Sequence, residues 1–494
     1  MCHPKYERKR NAMRIQNAET LTSHGNTTGR KVLVEILEAG LEAADPYFNT
    51  LKLIRIEDQK LVVDNSEFEP AGTPRTNHEP IDLSEVDRIY VFGAGKGIQR
   101  VAKALEDKLD NRLTGGHVID KKGHELILRK IGVTLGAHPV PDKDCVKGCE
   151  SILKMSEGLT KKDLVFTLVS NGVSSLLTMP VPGVSIEDVS QTTYVMQIQH
   201  GAPTGDLNTI RNHLDMMKGG RITKHLMPAR MIHILAIDPG NYDQLMNRNL
   251  WLHTLPDCTT FSDAVHNLKK WDAWDEVPAS VRAHLEKADP ADETVKAKDF
   301  EKMDFCIFGV MPNRTGMMPT AMKKAAELGF RPVVLAEGLT VESAQAGLMT
   351  ATIAKTIERL GEPSQPPCAL FSGGEMLVTV GREKGVGGRN QEFALAAAQR
   401  IAGSRNIIVG SVDSDGTDGP GTQFAQVYGG IPCLAGGVVD GETMDEARTS
   451  GVNVAEELKR HNASAALWKL RSGIAATPNI SLNDLTVTLI MERA

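Results

Sequence analysis

A chain of 494 residues, 41% hydrophobic and 24% charged, has the length for two or three domains with substantial cores. A net charge of -6 without any long Lys/Arg run argues against nucleic acid as a partner, and no apolar run reaches the about 20 residues that span a bilayer. The seven cysteines are scattered, with Cys145 and Cys149 on one helical stretch, which fits a reduced cytoplasmic protein better than a disulfide framework or a metal site.

Residues 1–29 carry Lys5, Arg8, Lys9, Arg10 and Arg14 but no apolar core of a secretory signal. Glu7 and Glu19 break a transit-peptide pattern, so the segment reads as a disordered leader. Helical apolar spacing begins at 30–41, and a polar loop containing proline covers 65–80. A buried strand at 88–92 runs into Gly93-Ala-Gly-Lys-Gly97, an amphipathic helix over 98–109 and a strand at 117–120. That order is a βαβ unit, so the fold class is α/β with a largely parallel sheet. Further strands at 164–169 and 231–237 end in Ser170-Asn-Gly-Val-Ser-Ser175 and Asp238-Pro-Gly-Asn241. The charged stretch 268–300, with Pro278 and Pro290, marks a boundary between a first domain over 30–275 and a second over 300–494. In the second, strands at 305–310 and 331–336 alternate with helices at 319–328 and 341–360. A helix at 444–460 and a strand at 484–490 close the chain.

Two polar clusters stand out in that second half. An apolar strand pattern enters Phe371-Ser-Gly-Gly-Glu375, then Gly385-Val-Gly-Gly-Arg-Asn-Gln-Glu392 opens an apolar helix. Asp413-Ser-Asp-Gly-Thr-Asp-Gly-Pro420 follows. Glycines at 373, 374, 387 and 388 let a backbone approach an anion and turn N–H groups toward it. Arg389 adds a planar fork suited to carboxylate or phosphate, and the carboxylates of Asp413, Asp415 and Asp418 suit metal binding or proton acceptance. Their spacing does not match an EF-hand loop. The stretch reads as half of an active site for a small anion.

The Gly93 loop admits several readings. A P-loop needs Gly where Tyr90 stands and Ser or Thr where Gly97 stands. The dinucleotide fingerprint lacks its third glycine at Ile98, although Asp120 lies where a ribose-binding acid belongs. A third reading presents Lys96 beside a helix N-terminus, both aimed at an anion. The plainest is a βα turn with a solvated lysine.

Taken together, the motifs resemble the glycerate 2-kinases whose C-terminal domain is called MOFRL. The resemblance covers roughly residues 30–494. It rests on Gly93-Ala-Gly-Lys96, Ala137-His-Pro-Val-Pro-Asp142, Leu207-Asn-Thr-Ile-Arg-Asn-His-Leu214 and Lys218-Gly-Gly-Arg221. It continues through Ser372-Gly-Gly-Glu375, Gly387-Gly-Arg-Asn-Gln-Glu392, Asp415-Gly-Thr-Asp-Gly-Pro420 and Ala435-Gly-Gly-Val-Val-Asp440. It implies two α/β domains, the first with a Rossmann-like parallel sheet, and an active site in the cleft between them. It also implies ATP-dependent phosphorylation of D-glycerate at the 2-hydroxyl, giving 2-phosphoglycerate and ADP. Mg²⁺ would arrive with the nucleotide, and no metal site is assigned to the protein itself.

On that resemblance Lys96 neutralises the transferred phosphoryl group or holds the glycerate carboxylate, Arg389 clamps an anionic oxygen, and Asp415 orients or deprotonates the hydroxyl. Ser170, Asn171, Ser174, Arg211 and Asp238 are the expected substrate contacts. Gly93, Gly95, Gly373, Gly374, Glu375, Gly387, Gly388 and Asn390 are the expected nucleotide or phosphate contacts. His138 reads as a turn residue, and Glu375 and Glu392 equally suit helix capping or pairing with Arg389. Arg221, Asp418 and Asp440 equally suit structural roles.

The N-terminal half departs from the family pattern. The family's Ser-Gly-Gly-Gly-Ser appears as Ser170-Asn-Gly-Val-Ser174, and the Ser before Lys-Gly-Gly is represented by Asp215, a new negative charge near a site for anions. Ala236-Ile-Asp-Pro-Gly-Asn-Tyr-Asp243 replaces Ser-Asp-Val-Pro-Gly-Asp-Asp, and 247–256 shows no Ala-Ser-Gly-Pro-Thr. The acceptor is therefore glycerate or a related small hydroxy or aldonic acid. Members are often labelled hydroxypyruvate reductases, which leaves an NAD(P)-dependent reductase and a non-catalytic ligand-binding relative as competing readings.

Overall fold

The computed structural model describes residues 14–74, 79–380, 383, 385–419, 430–477, 479 and 482–492. Residues 1–13 of the expected leader, 75–78 of the polar loop and Pro420 at the end of the second acidic motif lie outside the described residues. The chain forms two compact units, 45–312 and a second made of 313–494 with the segment up to Ala44.

The unit over 45–312 is built on a parallel sheet of β1 (Arg88–Ala94), β2 (Gly115–Lys121), β3 (Gly132–Gly136), β4 (Asp163–Val169), β5 (Arg230–Leu235) and β6 (Phe305–Gly309). Their order is β3-β2-β1-β4-β5-β6, and every neighbouring pair is parallel. This is the doubly wound dinucleotide-fold order. The run Asp-Leu-Val-Phe-Thr-Leu-Val of β4 is buried throughout, as a strand covered on both faces must be. Phe92, Val165, Phe166, Leu168 and Ile307 are fully buried, and truncating a core Phe such as Phe166 to Ala costs about 3–5 kcal/mol. β3 is missing from the sequence reading because Gly-Val-Thr-Leu-Gly is short, glycine-bounded and only half-buried along most of its length. Helices Ile186–Thr193, Thr204–His213, Phe261–Lys270 and Ala279–Lys287 bury a separate apolar cluster that includes Val189, Leu207, Ile210, Leu268 and Leu285.

The other unit carries a mixed sheet of β7 (Arg331–Leu339), β8 (Cys368–Gly374), β9 (Ile407–Asp413), β10 (Gly436–Asp440), β11 (Gly473–Ile474) and β12 (Asp484–Ile490). The order is β7-β8-β12-β9-β10-β11, with only the β7–β8 pair parallel. The C-terminal strand thus enters between β8 and β9 and runs opposite to both. The apolar stretch 444–460 is two helices, Thr443–Thr449 and Val454–Lys459, rather than one.

Three expectations are corrected here. Residues 30–44 belong to this second unit, not to the first domain. The helix Thr27–Ala43, capped by Asn26, buries Leu33, Leu37 and Leu41, and Gly29 lets it come close to Ile408 of β9. Residues 14–29 are not a disordered leader: the Ile15 N–H donates to Glu38 at 2.8 Å, Ile15 bridges Ala476, and Leu21 is fully buried. These are main-chain and long-range contacts that composition cannot reveal. The boundary also falls at 312, after the charged stretch, because its helices pack into the 45–312 unit.

Candidate active site

β1 and β4 are neighbours, yet the chain winds outward from them in opposite directions. Ligands of open α/β sheets bind beyond the carboxyl ends of the strands at this reversal. The loops following β1 and β4 meet there. The Lys96 N–H donates to the Asn171 carbonyl at 2.8 Å, and Ser170 Oγ donates to the Lys96 carbonyl at 2.9 Å. Gly95 has φ +147°, and a Cβ on it would lie 2.0 Å from Ser170 Oγ, so only glycine permits the contact. Ser170, expected at the substrate, is therefore used to join the loops. Gly93, expected at a phosphate, lies inside β1, where a Cβ would strike the Leu168 carbonyl.

Asp120, the residue that kept a dinucleotide reading open, is fully engaged. It accepts the N–H groups of Gly97 and Lys121 at 2.8 and 2.7 Å, pairs with His124 Nδ1 at 2.9 Å, and takes Gln99 Nε2 at 3.0 Å. It braces the loop that carries Lys96 and is 1% exposed, with Oδ1 shared by three donors and Oδ2 taken by Gln99.

Cationic groups gather around these loops. Arg211, on the helix Thr204–His213, is 6% exposed. Its guanidinium meets only the Thr193 hydroxyl, at 3.3 Å from both Nε and Nη2, and no carboxylate pairs with it among the described residues. Lys96 has no ion-pair partner among the described residues either. A Cβ on Gly172 would lie 3.0 Å from both His138 Cδ2 and Lys96 Cγ, which places those side chains against one loop glycine. Burial and the charges of Lys96, Lys121 and Arg211 hold the His138 imidazole down to about 4, so it is neutral near pH 7. A buried guanidinium that no carboxylate touches among the described residues, with only the more distant charge of Asp215 to offset it, near an unpaired lysine, is the electrostatic signature of an anion site.

Other expected contacts have structural occupations. Asp215 is not a stray negative charge: its carboxylate pairs with the fully buried Lys218 Nζ, which also reaches Thr178 at 2.7 Å. Arg221 donates to the carbonyls of Asn212, Asp215, Lys218 and Asp292. Asp238 accepts the Gly240 N–H at 2.9 Å and closes a turn. Ser175 Oγ donates to the Ala137 carbonyl, whereas Ser174 Oγ meets a side chain, His253 Nε2, at 2.9 Å. His253 was not foreseen, because nothing in its local sequence marks it.

In the second unit the Arg389 cluster differs from expectation. Its Nε donates to both oxygens of Asp484 at 2.8 Å and its Nη2 to Asp413 at 2.7 Å, so two carboxylates of the protein hold one edge of the fork. Asp484, the first residue of β12, was not anticipated as a site residue. Asn390 is likewise engaged: its amide reaches Asp418 and Asp484, and its oxygen accepts the Ser411 hydroxyl at 2.6 Å. Asp418 accepts the N–H groups of Asn390 and Gln391 and so caps the helix Arg389–Ile401. That terminus is closed to an incoming phosphate by its own acid.

The glycines have packing reasons too. A Cβ on Gly388 would lie 2.3 Å from the Asp418 carboxyl carbon, and Gly387 lies against Ala463. Gly373 and Gly374 are the last residues of β8, paired with Leu485 and Asp484, rather than a phosphate loop. Glu392 pairs with His461 at 2.8 Å, and Asp440 with the fully buried Arg30. Burial and the adjacent Asp415 push the Asp413 carboxyl well above the usual carboxylate range. One Asp415 oxygen accepts the Thr417 N–H and hydroxyl, both at 2.8 Å, leaving Asp415 the least engaged acid of the cluster. A cavity of about 630 Å³ opens beside Arg389, lined by Glu375, Leu377, Val386, Gly387, Arg389 and His461 among others. Among the described residues no group of three or more His, Cys, Asp or Glu side chains is arranged to hold a metal ion. No helix among them is long and apolar enough to cross a membrane.

Comparison with known proteins agrees with this architecture. The family described as a domain of unknown function, DUF4147, matches residues 32–286, and the MOFRL family matches 368–482. A glycerate 2-kinase of Pyrococcus horikoshii is 31% identical over 94% of this chain and 98% of its own length. A D-glycerate 2-kinase of Thermotoga maritima is 30% identical over 90% of this chain and 99% of its own. The crystal structure of a glycerate kinase from Thermotoga maritima superposes with a TM-score of 0.73 at 28% identity, covering 94% of this chain and all of that one. The chain therefore belongs to the glycerate kinase family that joins a DUF4147 domain to a C-terminal MOFRL domain.

Proposed function

We propose that this protein is an ATP-dependent glycerate 2-kinase, transferring a phosphoryl group to the 2-hydroxyl of D-glycerate to give 2-phosphoglycerate and ADP. The observation that carries the reading is Arg211, buried without a carboxylate partner, at the strand-order reversal where Lys96 and neutral His138 also lie. Such a site takes a small anion. Arg211 is assigned the acceptor carboxylate, with a planar fork that matches it. Lys96, on a loop fixed by Asp120 and Ser170, is assigned the charge of the phosphoryl group. In the other unit Asp415, with one oxygen unengaged among the described residues, is assigned as the candidate proton acceptor.

Phosphoryl transfer asks little covalent chemistry of a protein, so positioning and charge neutralisation supply most of the acceleration. Arg389, held by Asp413 and Asp484, serves as the brace that fixes the acidic cluster around Asp415 rather than as a free clamp. The cavity beside Arg389, lined by Met376, Leu377, Val378 and Val386 together with Glu375, Glu383 and Glu392, is the candidate space for the nucleotide, with the base against its aliphatic side. Mg²⁺ bound to the nucleotide would neutralise phosphate charge; Asp413 and Asp484 are engaged by Arg389 and do not form a cage for it.

Asn171 in a loop the family fills with glycine favours a second reading, a related hydroxy or aldonic acid as acceptor. The full engagement of Asp120 speaks against an NAD(P)-dependent reductase. ADP release from ATP is measured with D-glycerate, L-glycerate and longer aldonic acids. Stimulation by D-glycerate is expected, stimulation only by a longer acid selects the second reading, and stimulation by none overturns both.

A further inference from the structure

The loop after β4 carries serines at 170, 174 and 175, and they are not equivalent. Ser170 donates to the Lys96 carbonyl and Ser175 to the Ala137 carbonyl, so both hydroxyl protons are spent on the backbone. Ser174 alone is bonded to a side chain, the imidazole of His253, with Nε2 to Oγ at 2.9 Å. His253 is 1% exposed and is anchored on both sides, its own carbonyl accepting the Gly220 N–H at 3.0 Å. It stands in the stretch 247–256, where this chain departs from the pattern of its family.

The protonation chemistry fixes what this pair can do. Burial and the charges of Lys218 and Arg211 push the His253 imidazole well below its ordinary value, so it is neutral and carries one N–H. A neutral imidazole offers Ser174 either an acceptor or a donor. If Nε2 accepts, the Ser174 proton is spent on the imidazole. If Nε2–H donates, the Ser174 lone pair is filled and its O–H is free to donate. The Arg211 charge reaches His253 and His138 alike, so the surroundings are electropositive. An anion there recruits donors, which favours the second arrangement.

We propose that His253 is a positioning residue for the acceptor acid: by donating to Ser174 Oγ it directs the Ser174 hydroxyl proton toward the anionic oxygen held by Arg211. The inference rests on the hydroxy-acid acceptor of the proposed function. Its test reads binding directly, so that it does not depend on phosphoryl transfer. D-glycerate binding to the full chain is followed by calorimetry for wild type, Ser174→Ala, His253→Ala, His253→Gln and the Ser174→Ala/His253→Ala double variant, with steady-state kinetics alongside.

Loss of one charge-assisted hydrogen bond corresponds to about a tenfold weaker binding. Each alanine variant is expected to weaken D-glycerate binding, and its KM, about tenfold, leaving kcat and the KM for ATP within about twofold. The double variant should be no weaker than either single one, because both act through one contact. His253→Gln, whose amide N–H also donates, should recover most of the affinity and guards against misfolding of His253→Ala. Additive losses, equal rises in both KM values, or no rescue by His253→Gln would overturn the proposal. Wild-type chain that does not bind D-glycerate overturns it as well. Wild-type chain that binds D-glycerate without releasing ADP instead refutes the kinase reading and leaves this one standing.

Discussion

Replacing Arg211 by Met should make the protein more stable while it loses its anion. Burial pulls the Arg211 guanidinium down to about 10, and at about 1.4 kcal/mol per pH unit the depression against an ordinary arginine corresponds to about 3 kcal/mol of unfavourable charge burial. Met fills much of the same volume without the charge. It forfeits the Thr193 contacts, worth about 1 kcal/mol at their 3.3 Å length, so the net gain is about 2 kcal/mol. At about 2–4 °C per kcal/mol for a unit of this size, the unfolding midpoint should rise roughly 4–8 °C. Calorimetric scans with and without D-glycerate provide the check. Ligand at about a hundred times its Kd should stabilise wild type by about 2.7 kcal/mol and leave Arg211→Met unmoved. A variant that is less stable than wild type and keeps the ligand-induced shift would refute the claim that this arginine is held uncompensated for an anion.

Other perturbations separate bracing from binding. Asp484→Asn turns an amide donor toward Arg389 and Asn390 and should cost about 3 kcal/mol, read as a lower urea midpoint at unchanged slope. Asp215→Ala leaves the Lys218 ammonium buried without a partner and should cost about 3–5 kcal/mol, most of it regained in Asp215→Ala/Lys218→Met by thermal unfolding. The His138 imidazole, near 4 in the folded chain against an ordinary 6.5, binds fewer protons than the unfolded chain in that window. Its contribution to stability is therefore present above about 6.5 and lost as pH falls toward 4. An anion beside Lys96 and Arg211 should raise the His138 value, a shift that NMR titration of its ring protons reads directly.

The strands of the parallel sheet were legible where apolar runs met glycine, as at 88–92 and 164–169, because a strand covered on both faces must be apolar throughout. The order that brings β1 beside β4 was not, since pairing joins segments far apart in sequence. The same limit applies to the sites. Lys96 and Arg211 stand out by type and position, but that no carboxylate among the described residues touches the Arg211 guanidinium is a tertiary fact. Arg389 stands out by its motif, yet its partner Asp484 arrives on the last strand, where nothing distinguishes it from a strand-initiating acid. Glycines expected at an anion also have packing reasons. Gly388 and Gly374 are glycine because Asp418 and Leu339 fill the space a Cβ would need. His253 shows the converse, a side chain whose surroundings matter more than its sequence neighbours.

The central claim is the transfer of a phosphoryl group to one hydroxyl of one acid. Phosphorus NMR of the full chain incubated with ATP, Mg²⁺ and D-glycerate tests it most directly. The account predicts a single new phosphomonoester coupled to the proton on carbon 2, growing in step with ADP. A product phosphorylated at carbon 3, or no phosphoester while hydroxypyruvate is reduced at the expense of NADH, would contradict it.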